Sequence, residues 1–112
     1  MSFTAAALNA AVDAIVTLGA DRISAHTADP GLTGASEVTG GTYARQTTSY
    51  GAASGGARTG SQVTIPIPAG TTVTHVGCWS SGGTFRGGVA LSSSQTFTLA
   101  GNLLHTPTLA VS

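Results

Sequence analysis

The sequence predicts a mainly β protein, an antiparallel β-sandwich (jelly-roll-like) with one N-terminal amphipathic α-helix. Short runs with strand character recur at a spacing of about ten residues, which is typical of sandwiches and small barrels. Turn-forming residues separate these runs, with 16 glycines and 4 prolines in 112 residues. An alanine-rich segment stands apart at the N-terminus. We expect one domain over residues 1–112, with the helix at 4–18 and the sandwich over 22–112.

The helix is predicted from composition, caps and periodicity. Alanine is the best helix former, Thr4 suits the N-cap, and Gly19 suits the position just past the last turn. Three apolar residues share one face at helical spacing: Leu8, Val12 and Ile15. We expect this face to dock, either on the protein's own sheet or on a neighbouring molecule.

The rest of the chain reads as strands and turns. Asp29-Pro30-Gly31 predicts a turn, because proline presets φ at one corner and glycine tolerates positive φ at the next. Pro66 predicts an edge strand, because proline cannot donate to a β-ladder. The predicted strands are residues 22–27, 43–50, 63–67, 72–79, 84–91, 95–99 and 108–111.

The strands at 72–79 and 84–91 flank a Ser-Ser-Gly-Gly turn and predict a hairpin. Within it, Val76 and Cys78 are expected to face one way and His75 the other. Phe85, Val89 and Leu91 are expected to share a face. By contrast, residues 51–60 contain no apolar residue larger than alanine and predict a mobile loop.

Charge is scarce in this sequence. Four arginines balance four acidic residues, there is no lysine, and the net charge is zero. The chain therefore lacks the basic stripe of a nucleic-acid-binding protein, and no stretch approaches the ~20 apolar residues of a membrane span. No basic residue precedes Arg22, so we expect no secretory signal and synthesis in a cytoplasm. A net charge near zero favours association, so we expect the protein to be part of a larger assembly.

No catalytic constellation is evident. Ser36, in Gly34-Ala35-Ser36-Glu37-Val38, resembles part of a nucleophile elbow, but the closing glycine and the following helix are missing. A single cysteine, Cys78, permits no internal disulfide and reads as a small buried hydrophobe. We expect neither an enzyme nor a bound cofactor.

The histidines do not have metal-ligand spacing. His26, His75 and His105 are far apart in the sequence, with no pair on adjacent turns or alternating strand positions. His26 and Asp29 lie close enough to meet at the turn. We expect His26 to bond to turn backbone there rather than to hold a metal ion.

Two blocks of sequence resemble a family of small structural proteins of tailed bacteriophages. The first block comprises HTADPGLTGASEV (residues 26–38) and GGTYARQ (40–46); the second comprises VTHVGCW (73–79), the Gly82-Gly83 turn, TF (84–85) and AL (90–91). The resemblance covers residues 20–100. Ala25 stands where the family usually has an aliphatic residue, and Cys78 where it has a larger apolar one, so both are expected to be core positions.

The first block is predicted to form a fixed loop. Its glycines permit sharp bends, Glu37 comes within reach of Arg45 if the loop folds back, and Tyr43 is expected to anchor it. Nothing in this block requires a ligand.

The resemblance implies a virion component made in the bacterial cytoplasm, and the function we expect is capsid decoration. A decoration protein adds contact area between capsomers, and charge-poor chains suit such apolar interfaces. Its partners would be the major capsid protein and further copies of itself, in a homo-oligomer. The residues expected at its interfaces are Leu8, Val12, Ile15, Arg45 and Trp79.

Two alternatives remain open. The first is a minor tail or tail-fibre protein that contacts tail proteins or a host surface glycan, with Trp79, Tyr50 and His75 as candidate contact residues. A third class is a small carbohydrate-binding module that stacks a sugar on an exposed Trp79 or Tyr50. Both alternatives need those aromatic rings to be exposed.

Overall fold

A computed structural model describes residues 2–111 of the chain. Within these residues one helix precedes eight strands, and this part of the chain is elongated, measuring 46 × 26 × 24 Å. The elements in chain order are α1 (Ala5–Leu18), β1 (Arg22–His26), β2 (Gln46–Thr47), β3 (Ala57–Thr59), β4 (Val63–Ile67), β5 (Thr71–Trp79), β6 (Phe85–Phe97), β7 (Gly101–His105) and β8 (Thr108–Ala110).

Helix α1 begins and ends where the sequence predicts. The Thr4 hydroxyl accepts a hydrogen bond from the Ala7 amide at 3.2 Å and caps the first turn. The helix stops at Gly19, whose φ of 92° is accessible to glycine and whose amide bonds to the Val16 carbonyl.

The strands form an antiparallel sandwich, as predicted. The larger sheet has the order β2-β1-β5-β6, β4 pairs with β7, and β3 pairs with β8. The core lies between the larger sheet and the β4–β7 pair. Of the two departures from the family pattern, Ala25 is fully buried in the core, whereas Cys78 is half-buried and packs against it. The buried apolar core residues are Ile23, Ala25, Val38, Val63, Ile65, Ile67, Val73, Val76 and Leu103.

Strand β6 is longer and less regular than predicted. The runs at 84–91 and 95–99 form one strand, within which β5 residue Val73 pairs with Gln95 whereas His75 pairs with Ala90. The three extra β6 residues form a bulge. Strands β3 and β7 were not predicted, and of the predicted strand at 43–50 only Gln46–Thr47 forms.

The prediction of one shared face for Phe85, Val89 and Leu91 is wrong. A second register shift makes Phe85 the partner of Trp79, whereas Val89 pairs with Val76. Trp79 and Val76 lie on opposite faces of β5, so the irregularity sends Phe85 to the face away from the core.

The prediction of a mobile loop at residues 51–60 is also wrong. Residues Ala57–Thr59 form β3 and pair with β8. The Arg58 guanidinium donates hydrogen bonds to the carbonyl oxygens of Gly51 and Tyr50, at 2.6 and 3.3 Å. The Gly56 amide donates to Asn9 Oδ1 at 2.7 Å. Polar contacts therefore hold a segment that has no large apolar side chain.

Candidate functional site

One face of the larger sheet points away from the core, and we call it the outer face. Strand β1 is buried on both faces, because Ile23 and Ala25 enter the core while Ser24 and His26 point to the other side. Opposite Ser24 in the register lies Gly77 of β5. Residues 27–45 fold back over this outer face, and we call that segment the covering loop.

A chain of hydrogen bonds links the outer face to the covering loop. Trp79 Nε1 donates to Ser24 Oγ at 2.8 Å, Ser24 Oγ lies 2.7 Å from His26 Nε2, and His26 Nδ1 lies 2.8 Å from the Ala35 carbonyl oxygen. A carbonyl oxygen can only accept, so His26 Nδ1 carries a proton and donates it to the loop. In the neutral ring Nε2 is then the acceptor and takes the hydroxyl proton of Ser24, whose oxygen accepts from the Trp79 indole.

Burial enforces this neutral state. His26 is 0% exposed, and burial lowers the pKa of its imidazole below the ordinary value, outweighing the opposite effects of the Ala35 carbonyl and the Glu37 carboxylate. A second ring proton would reverse the Ser24 contact: Ser24 Oγ would accept from both Trp79 and His26, and its own hydroxyl proton would lose His26 as its acceptor. The bond to Ala35 is the turn-backbone bond that the sequence predicts for His26.

Aromatic packing closes the same region. The rings of Trp79 and Phe85 meet edge-to-face with centroids 5.0 Å apart, and the His26 and Phe85 rings meet similarly at 6.1 Å. Gly34 of the covering loop lies directly against the indole: a Cβ there would come within 2.5 Å of Trp79 Cη2. Its φ of 79° adds a second reason for glycine.

An ion pair fastens the end of the covering loop. Arg45 Nε and one terminal nitrogen donate to the two carboxylate oxygens of Glu37, both at 2.8 Å. The Tyr43 hydroxyl also donates to Glu37, at 2.8 Å, and accepts from the Ala25 amide at 3.0 Å. The sequence predicts that Glu37 meets Arg45 and that Tyr43 anchors the loop, and the structure confirms both; the bonds of Tyr43 to Glu37 and Ala25 are new.

Charge and burial act together at this ion pair. Burial alone would raise the pKa of Glu37, but hydrogen bonds from Arg45 and Tyr43 outweigh it and leave that pKa below its ordinary value. The Arg45 guanidinium carbon also lies 3.6 Å from the centroid of the Trp79 ring, a cation–π contact. Arg45 thus joins the ion pair to the aromatic cluster.

Helix α1 docks on its own domain near β3. Val12 is fully buried, Leu8 lies against the backbone of Gly56, and Asp13 forms an ion pair with Arg58 at 3.1 Å. These contacts use the predicted apolar face of the helix within the protomer.

Comparison with known proteins identifies the family of this chain. A family model described as "Podophage GP4 fiber I protein gp80" matches residues 4–111, nearly the whole chain. The chain belongs to this family. No curated protein and no solved structure matches it.

Membership in the podophage GP4 fiber I protein gp80 family confirms the resemblance to structural proteins of tailed phages. The chain is a fibre-family structural protein and a virion component. The family description favours the tail-fibre alternative over capsid decoration.

In this fibre-family protein, two of the five predicted interface residues are buried and three are half-buried. Trp79 is 9% exposed and Val12 is fully buried, so neither offers surface to another molecule in this conformation. Arg45 is half-buried in its ion pair, and Leu8 and Ile15 are half-buried on the docked side of the helix. An intermolecular role for these five residues stays a prediction.

The aromatic residues proposed for host contact are engaged internally. Trp79 is buried, and the Tyr50 hydroxyl donates to the Ala20 carbonyl at 2.7 Å. His75 is half-buried, with Nδ1 2.8 Å from the Thr74 hydroxyl. Sugar stacking on an exposed Trp79 is therefore contradicted by the structure.

The residues considered for chemistry are dispersed. Ser36 sits in the covering loop with φ of 61°, and its carbonyl accepts from the Thr27 amide. Among residues 2–111, no three His, Cys, Asp or Glu side chains are grouped to hold a metal ion. Likewise, none of the helices in that part of the chain is long and apolar enough to cross a membrane.

Sequence reasoning missed the Ser24–Trp79 contact. The two residues are 55 positions apart, and no local pattern joins them. One available signal was a serine and a histidine that alternate with apolar residues in β1, since buried polar side chains in a strand need partners.

Proposed function

We propose that this protein is a non-enzymatic building block of a phage tail fibre, which binds other tail-side proteins. The single observation that carries the proposal is the family match over residues 4–111. A fibre must transmit force without unfolding, and the covering loop supports that role, since aromatic packing, an ion pair and a continuous hydrogen-bond chain hold it.

The Ser24–His26 pair does not argue for catalysis. Their 2.7 Å contact resembles a nucleophile and its base, but both side chains are 0% exposed. The Ser24 hydroxyl is also occupied by the Trp79 indole. A substrate has no path to this oxygen, so the pair acts in structure.

Contact with a host glycan is the less favoured role. The Trp79 ring, which would stack on a sugar, lies inside the protein, and Tyr50 and His75 are half-buried. We therefore place this chain in the shaft or attachment region of the fibre, with the host-contacting surface on other proteins.

A phage that cannot make this protein provides the test. We expect particles with normally filled, heat-resistant heads that lack fibres under electron microscopy and adsorb poorly to the host. The control is the same phage complemented with the gene on a plasmid, which should regain fibres. Fibres of normal appearance together with heat-labile heads would overturn the proposal and favour capsid decoration.

A further inference from the structure

The covering loop presents one leucine to solvent. Leu32 is 96% exposed, yet its loop is rigidly held: the Gly31 amide donates to Asp29 Oδ1 at 2.9 Å, and the amides of Gly34 and Ala35 both donate to the Pro30 carbonyl. This side chain is free to become buried against a partner, and a loop already held in one conformation loses little entropy when it binds. We call Leu32 and this turn the knob.

A cleft lies on the other side of the larger sheet. Its volume is about 540 Å³, and its apolar lining includes Ile15, Val76, Val89, Pro107 and Leu109. Val89 of β6 is 60% exposed. The side chains of Val76 and Cys78, which line the cleft from β5, are on the core side of the sheet, whereas the knob belongs to the loop on the outer side. A protein molecule therefore cannot place its knob in its own cleft.

The charges indicate what fits the cleft. Within residues 2–111, three ion pairs at 2.9, 2.8 and 3.1 Å use six of the eight charged side chains: Arg22 with Asp21, Arg45 with Glu37, and Arg58 with Asp13. Among residues 2–111, the acid and the base left without an ion pair are Asp29 and Arg86. Asp29 flanks the knob, and Arg86 lies at the lining of the cleft.

We propose that the protein assembles head to tail, with the knob of one copy seated in the cleft of the next and Asp29 of the first paired with Arg86 of the second. The occupant of the cleft is thus a second copy of this chain. Because knob and cleft are different surfaces, the contact is heterologous and produces a ring or a filament rather than a closed two-fold dimer.

Two variants that each remove one side of the contact give the decisive test. Leu32→Glu loses the knob but keeps the cleft, and Val89→Lys loses the cleft but keeps the knob. We expect analytical ultracentrifugation to show concentration-dependent oligomers for the unmodified protein and at least about 10-fold weaker association for each variant. Mixed together, the two variants should form a 1:1 dimer and nothing larger, because a single intact knob–cleft contact remains.

Leu99→Glu is the matched control, since Leu99 is 80% exposed on the turn between β6 and β7, away from the knob. It should associate like the unmodified protein, and circular dichroism should show all variants folded. The proposal is overturned if the unmodified protein is still a monomer at about 200 μM, a concentration at which even a weak interface would show association. It is also overturned if Leu99→Glu weakens association as much as Leu32→Glu, or if the mixed variants stay monomeric.

Discussion

The guanidinium carbon of Arg45 lies 3.6 Å from the centroid of the Trp79 ring. The same guanidinium holds Glu37 through two hydrogen bonds of 2.8 Å. Trp79 in turn donates to Ser24, the first hydroxyl of the hydrogen-bond chain. Arg45 therefore links the ion pair to the hydrogen-bond chain, and both hold the covering loop. A substitution in either one should change the stability that the other contributes.

The first prediction concerns the Glu37–Arg45 pair. In a double-mutant cycle with Glu37→Gln and Arg45→Met, we expect a coupling energy of about 1 kcal/mol, above that of an exposed pair because the contact is bidentate and half-buried. Urea unfolding followed by Trp79 fluorescence measures it. A cycle with the more exposed pair Arg22 and Asp21 is the control and should give less. Additive effects at Glu37 and Arg45 would contradict the account.

The second prediction concerns the contact of Gly34 with Trp79. Gly34→Ala should cost about 2–3 kcal/mol of unfolding free energy, because the new Cβ meets the indole and φ is positive. Gly31→Ala is the matched control: its φ of 59° is also positive, but no atom lies within 4 Å of the added carbon. It should cost only about 1 kcal/mol, from backbone strain alone. Equal costs would show that Gly34 and Trp79 are not in contact.

The third prediction is a pH dependence set by His26. Burial lowers the pKa of His26 in the folded protein, so below about pH 6.5 the unfolded chain binds more protons than the folded one. The stability from neutral His26 is therefore complete above that pH and falls as the pH drops towards the lowered pKa. The charged and titratable groups near His26 are Glu37, His75 and Arg45.

Urea unfolding at pH 7.5 and pH 5 tests the His26 prediction. The unmodified protein should be less stable at pH 5, and His26→Asn should show a smaller difference between the two pH values. His105→Asn is the comparison, because burial also lowers the pKa of His105 but this residue lies outside the hydrogen-bond chain. If His26→Asn leaves the pH dependence unchanged, the neutral tautomer assigned to His26 is wrong.

The fourth prediction concerns the docking of α1. Val12→Ala should lower the unfolding free energy by about 2 kcal/mol, because Val12 is fully buried between the helix and its own domain. Leu18→Ala, at a position 62% exposed, should change it by less than about 0.5 kcal/mol. Equal small effects in denaturant unfolding would mean that the helix does not dock on its own domain.

The sequence predicted those parts of the fold that local patterns determine. Helix α1 has caps and a periodic apolar face, and the β5–β6 hairpin has a glycine-rich turn between alternating strands. The orientation of Phe85 was not predictable, because one register irregularity reverses the face of a side chain. The order in residues 51–60 was not predictable either, since it depends on Arg58 reaching backbone carbonyls and on Asn9 of the distant helix.

The same division applies to the covering loop. Glu37, Tyr43 and Arg45 lie within nine residues of each other, so their contact followed from a loop that folds back. The Ser24–His26–Trp79 hydrogen-bond chain requires β1 and β5 to be neighbours in a specific register. Local sequence patterns do not determine the order of strands in a sheet. Trp79 was therefore assigned to an interface, although it is buried inside the protomer.

We propose that this chain is a structural subunit of the phage tail fibre. Quantitative mass spectrometry of purified virions, separated into head and tail fractions, tests it most directly. We expect the protein to be found in the tail fraction, in the low copy number of a fibre component. A high copy number in the head fraction, in step with the major capsid protein, would contradict it.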